Sequence, residues 1–213
     1  MASYLFSDLG VQLHFGLNTS ALINAIERAD EIVLHAAIYS NFADNAVGQL
    51  LLQRLQNASL KQLTLIKLEP TRLWRDEFAT ILRPEMPLQE VEQLYDISRH
   101  WCAELKAQFP ETVNLVSTQA LPLQPILLIG DRLFVGHYAH SNCTSAQGLW
   151  LEFDILTLGL APNSLIDWFD TGIPSEQNSA VEVALGRYVD ECRRAVGDLW
   201  YQSLIELDKG RNR

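Results

Sequence analysis

Cysteine is scarce in this chain of 213 residues, and its three cysteines lie far apart. Cys102, Cys143 and Cys192 include no CxxC pair of the kind found in zinc ribbons, and three are too few for a disulfide framework. We therefore expect reduced, mainly structural thiols. The sequence predicts neither a metal site nor a cofactor.

Basic residues are also few. The chain has 16 Lys and Arg against 26 Asp and Glu, which gives a formal net charge of −10. Nucleic acids and anionic membranes both attract proteins through a local excess of positive charge. We therefore do not expect nucleic acid or an anionic membrane as the main partner.

Long apolar runs are missing as well. No fully apolar run approaches the length of a membrane span. The first ten residues, MASYLFSDLG, lack the basic start and long apolar run of a secretory signal. The sequence therefore predicts no membrane span and a cytoplasmic location.

Apolar residues nevertheless make up 48% of the chain, which excludes wholesale disorder. A chain of this length buries roughly 70% of its unfolded surface and needs no disulfide or metal to fold. We expect one compact domain over residues 1–213.

The first 70 residues alternate between strand and helix patterns. Residues 11–15 alternate in polarity as a half-buried strand does, and residues 31–39 (EIVLHAAIY) form the continuous apolar run of a strand buried on both faces. Residues 60–68 are a further strand. Helices lie between them, over about 20–29 and around Val47. This order predicts parallel pairing through right-handed crossovers.

Two further helical regions come next. A helical insert covers about 71–109, and Pro84 and Pro87 split it into two helices. A short helix reaching Phe169 precedes a long C-terminal helix over about 175–207. The long helix is predicted from apolar residues at spacings of three and four: Val181, Leu185, Tyr188, Cys192, Val196 and Leu199.

The remaining segments have strand patterns. Residues 113–117 are one predicted strand, and 125–129 and 132–135 are the two arms of a hairpin that turns at Gly130 and Asp131. Residues 148–160 are predicted as a long strand.

Three segments of the chain are LNTSALINAIERADEIVLHAAIYSNF, PILLIGDRLFVGHYAHS and GLWLEFDILTLGLAPNSLIDWFD. In this order they resemble the phospholipase D superfamily: the first is similar to its opening helix and strand, the second to the region of its His-x-Lys signature, and the third to the strand and helix after that signature. The resemblance covers about residues 5–170. It implies an α/β fold, with a phospholipase D-like mixed sheet flanked by helices and a long C-terminal helix.

The catalytic residues of that family are missing. If Asp131 is the aspartate of the signature, Gln124 stands for the histidine and Ile126 for the lysine. If Gly130 is aligned with that aspartate instead, Leu123 and Pro125 take these two positions. The family's chemistry needs the histidine as nucleophile and the lysine to hold phosphate oxygens. The resemblance therefore implies a catalytically silent module that acts in ligand sensing, regulation or protein binding, and not a phospholipase or nuclease of the ordinary kind.

Polar residues near the hairpin end are the candidate site. His137 and His140 lie in GHYAHSN, and Glu152 enters the next strand from the same end. The group could hold a metal, work as a base, bind a small anionic or nucleotide-like ligand, or be structural polar residues. The alternative function is a phosphate-ester hydrolase with a site rebuilt around these three residues.

Two residues of the N-terminal half complete the predicted ligand-binding site. His14 and Tyr39 lie near the ends of the first two predicted strands. If both strands are central in the sheet, these side chains lie close to His137 and Glu152. His35 lies inside an apolar strand and is interpreted as a core or pocket histidine with its hydrogen bonds satisfied.

The resemblance also predicts a homodimer. Catalytic members of the family pair two copies of the motif, whereas this chain holds one, so an apolar face would need a second copy to cover it. The hairpin at 125–136 and the strand at 148–160 are the expected interface. A protein partner or a small anionic ligand is the other predicted partner.

Overall fold

The computed structural model describes residues 3–6, 9–43, 45–69, 75–120, 124–137, 147–174 and 179–211. Within these ranges the chain forms one eight-stranded sheet and seven helices. The expected α/β class, the mixed sheet and the long C-terminal helix are confirmed.

The strands are β1 (Ser3–Phe6), β2 (Val11–Phe15), β3 (Glu31–Ala36), β4 (Gln62–Leu68), β5 (Val113–Thr118), β6 (Ile126–Ile129), β7 (Arg132–His137) and β8 (Leu149–Asp154). The helices are α1 (Thr19–Arg28), α2 (Ser40–Ala43), α3 (Ala46–Gln56), α4 (Arg75–Leu82), α5 (Leu88–Gln108), α6 (Ser164–Thr171) and α7 (Ala180–Arg211).

The sheet has a parallel and an antiparallel part. Its strand order is β1-β2-β8-β7-β6-β3-β4-β5. Strands β3, β4 and β5 pair in parallel, as the sequence predicts for β3 and β4, and the other neighbours are antiparallel. Parallel pairing of β2 with β3 was wrong, because three strands separate them. The chain crosses the sheet through α1 and returns later to fill that gap.

Each face of the sheet packs against its own helices. Ile32 and Leu34 of β3 lie in one core with Leu22 of α1 and Leu51 of α3, and α5 joins the same core through Cys102 and Leu105. We call this side the α1 face. Val33 and Ile126 lie in a second core with residues of α6 and α7, on what we call the α7 face.

The hairpin β6–β7 is central in this arrangement. Residues Ile126 to Ile129 are all buried, and residues 133–136 of β7 are buried too. Helices of the same chain cover both faces, so this hairpin is not an exposed interface. The expected position of a dimer contact there was wrong, although the homodimer itself stays a prediction.

Two element bounds differ from the expected ones for reasons of local hydrogen bonding. Strand β8 ends at Asp154 and not at residue 160, because the Asp154 carboxylate accepts from the backbone N–H groups of Leu156 and Thr157 and starts a turn. Helix α7 starts at Ala180, where Ser179 and Glu182 cap each other's backbone N–H reciprocally. Residues 175–178 lie outside the described residues.

Within the described ranges, no helix is both long and apolar enough to cross a membrane.

Replacement by alanine should have opposite effects on stability at two glycines that lie inside helices. A Cβ on Gly48 of α3 would overlap the backbone carbonyl of Phe42, whereas a Cβ on Gly197 of α7 meets none of the described atoms within 4 Å. We expect Gly48→Ala to lower the free energy of unfolding by at least about 2 kcal/mol. Gly197→Ala should raise it by up to about 1 kcal/mol. Urea denaturation measures both, and a Gly48→Ala variant as stable as the parent would contradict this packing.

Candidate functional site

Glu152 is the buried carboxylate at the centre of the antiparallel part of the sheet. Strand β8 places it opposite Gln12 of β2 and Phe134 of β7. Only 5% of the residue is exposed. Its Oε2 accepts from His14 Nε2 at 2.8 Å, and its Oε1 accepts from Arg132 Nη1 at 3.2 Å. The second nitrogen of Arg132 contacts Asp154 at 2.9 Å.

Asn18 decides which nitrogen of His14 carries the proton. The Asn18 Oδ1 accepts from the Ala21 backbone N–H at the start of α1, so its Nδ2 must be the atom that donates to His14 Nδ1, at 3.3 Å. An accepting Nδ1 is unprotonated. The tautomer that satisfies both contacts is the one in which Nδ1 accepts from Asn18 and Nε2 donates its N–H to Glu152.

Arg132 joins this network to a polar cavity of about 330 Å³ at the opposite end of the sheet from His137. Charged groups of both signs line the cavity. Asp30 pairs there with Lys61 at 2.6 Å, and Asp131 accepts from the Asn163 backbone N–H at 2.7 Å. Because these carboxylates already have partners, we interpret the cavity as a structural contact between elements of the fold and not as a ligand site.

Tyr39 has a structural position. It is fully buried, and its hydroxyl contacts the backbone carbonyls of Leu34 and Ile66 at 2.7 and 2.8 Å and accepts from the Ala36 N–H. Burial raises the pKa of Tyr39 well above its ordinary value. These bonds fix the chain where β3 and β4 end.

The structure does not bring His137 to Glu152. His137 pairs with Leu149, three positions along β7 from the residue that pairs with Glu152, and alternation puts its side chain on the α7 face. The separation along the strand is about 10 Å. Among the residues of the predicted ligand-binding set that the structure describes, only His14 and Glu152 contact each other. His140 lies outside the described residues.

The positions that match the His-x-Lys signature lie at the start of β6. Ile126 is fully buried and pairs with His35 of β3 on one side and Val135 of β7 on the other. In the other register, Pro125 is buried against Gly136, whose added Cβ would lie 2.6 Å from the proline ring and 2.9 Å from Trp150. Both positions are therefore packed hydrophobic sites.

His35 is a buried polar residue that lies beside a groove in the surface of the protein. It is 2% exposed, and its Nδ1 lies 4.0 Å from Cys192 Sγ on α7. Within the described ranges, its Nε2 has no hydrogen-bond partner. Burial lowers the pKa of His35 to about 4 and raises the pKa of Cys192. Both groups are neutral near pH 7, so they do not form the thiolate–imidazolium pair of a nucleophilic cysteine.

His35 lines one part of a long groove beside α7. This part has a volume of about 470 Å³ and is also lined by Arg187, Asp190, Glu191 and Arg194. A second part of about 620 Å³ meets it at Arg187 and Glu191. It is otherwise lined by Gln124 and by the apolar or aromatic residues Phe153, Ala180, Val183, Ala184, Leu185 and Tyr188. We call the two parts together the α7 groove.

Sequence reasoning missed Arg132 and the charged residues of α7. A lone arginine after a turn has no distinctive pattern, and the four charges of α7 look like an ordinary solvated helix face. For His35, the apolar pattern predicted the burial correctly but not the missing hydrogen bond. Among the described residues, no three His, Cys, Asp or Glu side chains are grouped to hold a metal ion.

Comparison with known proteins adds little to this geometry. No protein-family model matches the chain, and no curated protein matches it. Among solved structures, it is similar to TrmBL2, an archaeal chromatin protein described as showing a novel mode of DNA binding, with a TM-score of 0.40 and 10% identity. The match covers 68% of this chain and 45% of that one, less than half its length. Similarity this low establishes no common fold or function.

We expect Glu152→Gln to lower the free energy of unfolding by about 2–4 kcal/mol. A glutamine keeps the size of the side chain, but it can accept from only one of His14 and Arg132 while its amide N–H₂ faces the other donor. The matched control is Glu104→Gln, whose carboxylate pairs with His100 on the surface of α5. That control should change stability by less than about 0.5 kcal/mol, and equal effects in the two variants would exclude a central role for Glu152.

The pKa of His35 predicts acid sensitivity. The folded value of about 4 lies below the ordinary 6.5, so between these values the unfolded chain binds a proton that the folded protein does not. The contribution of His35 to stability is complete above about pH 6.5 and is lost as the pH falls towards 4. Between about pH 7 and pH 4, the parent should lose about 3 kcal/mol more than His35→Phe. Parallel curves of unfolding free energy against pH would contradict the desolvation of this imidazole.

Proposed function

We propose that this chain is a catalytically silent phospholipase D-like domain that works as a ligand-sensing, regulatory or protein-binding module. One observation carries the proposal: Ile126, at the position of the signature lysine, is fully buried and belongs to the hydrophobic core of the α7 face. A residue packed there cannot hold the oxygens of a phosphate ester.

The neighbouring groups do not replace the missing chemistry. Gln124, at the position of the signature histidine, has an amide side chain and cannot act as a nucleophile on phosphorus. His35 lies beside Ile126 in the pairing of β3 with β6, but the structure offers it no carboxylate partner at hydrogen-bond distance in the described part of the chain. An imidazole nucleophile of this kind needs a carboxylate to activate it.

The alternative is a phosphate-ester hydrolase rebuilt around His137, His140 and Glu152, and the geometry gives it less support. Both oxygens of Glu152 already accept hydrogen bonds, from His14 and Arg132. His137 lies on the other face of the sheet. The three residues would form one site only if the sheet in this region were rearranged.

The proposal predicts no metal-independent phosphodiesterase activity. In the presence of a chelator, bis(p-nitrophenyl) phosphate should be hydrolysed no faster by the protein than by buffer, because a missing nucleophile removes several orders of magnitude in rate. Any residual rate should be the same in the parent and in separate His35→Phe and His137→Ala variants. A rate above buffer that one of these substitutions abolishes would overturn the proposal.

A further inference from the structure

We propose that the α7 groove is a binding site for a small zwitterion of the α-amino acid type with an apolar side chain. This ligand would be the one sensed by the proposed module, and in that respect the inference rests on the proposed function. Three features of the groove support it: a buried nitrogen in need of a partner, a helix face with charges of both signs, and an adjoining apolar part.

The buried nitrogen is Nε2 of His35. Buried polar atoms in folded proteins nearly always have a hydrogen-bond partner, and a group without one in a native structure calls for an explanation. His35 is 2% exposed and lines the groove. Its Nε2 has no contact with solvent in the structure, so a ligand bonds this atom once the side chains that cover it move aside. The low pKa of His35 keeps it neutral, which means that it can bond a polar atom of a ligand without adding a charge.

The charged face consists of Arg187, Asp190, Glu191 and Arg194. Their spacings of three and four residues place them on one side of α7. A guanidinium binds a carboxylate with two parallel hydrogen bonds, and a carboxylate accepts from an ammonium group. Because the two signs balance, a simple anion or cation would be attracted by one pair and repelled by the other, whereas a zwitterion complements both.

The apolar part of the groove suits the side chain of such a ligand. The rings of Phe153 and Tyr188 are neighbours there, with centroids 6.3 Å apart, and Val183 is 47% exposed beside them. This part meets the charged part at Arg187 and Glu191. Apolar walls with a few convergent polar groups, and volumes of several hundred Å³, are typical of small-molecule sites.

Isothermal titration of the full chain with leucine tests the ligand class. The matched half-ligands are isovalerate, which lacks the ammonium group, and isoamylamine, which lacks the carboxylate. Leucine should bind with a Kd in the micromolar to low-millimolar range, and each half-ligand at least about tenfold more weakly. No binding of leucine at about 10 mM, or isovalerate binding as tightly as leucine, would overturn the assignment.

Substitutions in the groove test its location. His35→Phe and Arg187→Met should each weaken leucine binding at least about tenfold, and His35→Gln should restore part of it because its amide can bond the same ligand atom. His100→Phe and Arg99→Met make the same changes on the exposed surface of α5 and should leave the affinity unchanged. If circular dichroism shows that His35→Phe does not fold, the affinity of Arg187→Met for leucine decides the test. Unchanged affinity in the groove variants would place the ligand elsewhere and overturn the inference.

The two proposals fail separately. If leucine does not bind and no phosphodiester is hydrolysed, the amino acid site is wrong and the silent domain stands. If hydrolysis depends on His35, the silent domain is wrong whatever leucine does.

Discussion

The hydrogen bonds to the buried carboxylate of Glu152 are the interaction on which the antiparallel part of the sheet depends. A carboxylate taken out of water is costly unless donors surround it, and here the donors come from both neighbouring strands, as His14 of β2 and Arg132 of β7. The side chains that satisfy Glu152 therefore hold three strands in one register. Asn18 extends this order to α1, because the same side chain that caps the helix also orients His14.

The two faces of the sheet differ in how far the hydrogen bonds of their polar side chains are satisfied. On the α1 face, His14, Glu152, Arg132 and Asp154 satisfy one another, which leaves little for a ligand to bind. On the α7 face, His35 has a ring nitrogen with no partner among the described residues, next to an open groove. Polar residues with similar sequence patterns thus differ in the hydrogen bonds that they make, because their faces bring them different neighbours.

Local patterns predicted the parts of the fold that depend on neighbouring residues. The apolar run at β3 and the Gly130–Asp131 turn of the hairpin are both present, and the two helices of the insert are separated by Pro84 and Pro87. Strand β8 was expected to be longer, because the apolar pattern continues past Asp154 and only the side-chain bonds of that residue show the turn.

Long-range pairing could not be read from the sequence. His14 and Glu152 are 138 residues apart, and their contact depends on β2 pairing with β8 and not with β3. The separation of His137 from Glu152 results from register and from alternation between faces, and a shift of one residue would reverse the face of every side chain. Of the residues expected in the site, His14 and Glu152 therefore contact each other. The groove around His35 could not be predicted, because one histidine in an apolar strand was its sole signal in the sequence.

The protonation of His14 at pH 7 tests this account most directly. A long-range ¹H–¹⁵N correlation spectrum, with His14 assigned by comparison with His14→Gln, shows which ring nitrogen carries the proton. The account predicts a neutral ring with the proton on Nε2, because Nδ1 accepts from Asn18 and Nε2 donates to Glu152. A proton on Nδ1 alone would contradict the donation from His14 to Glu152, and a doubly protonated ring would contradict the hydrogen bond from Asn18 to His14.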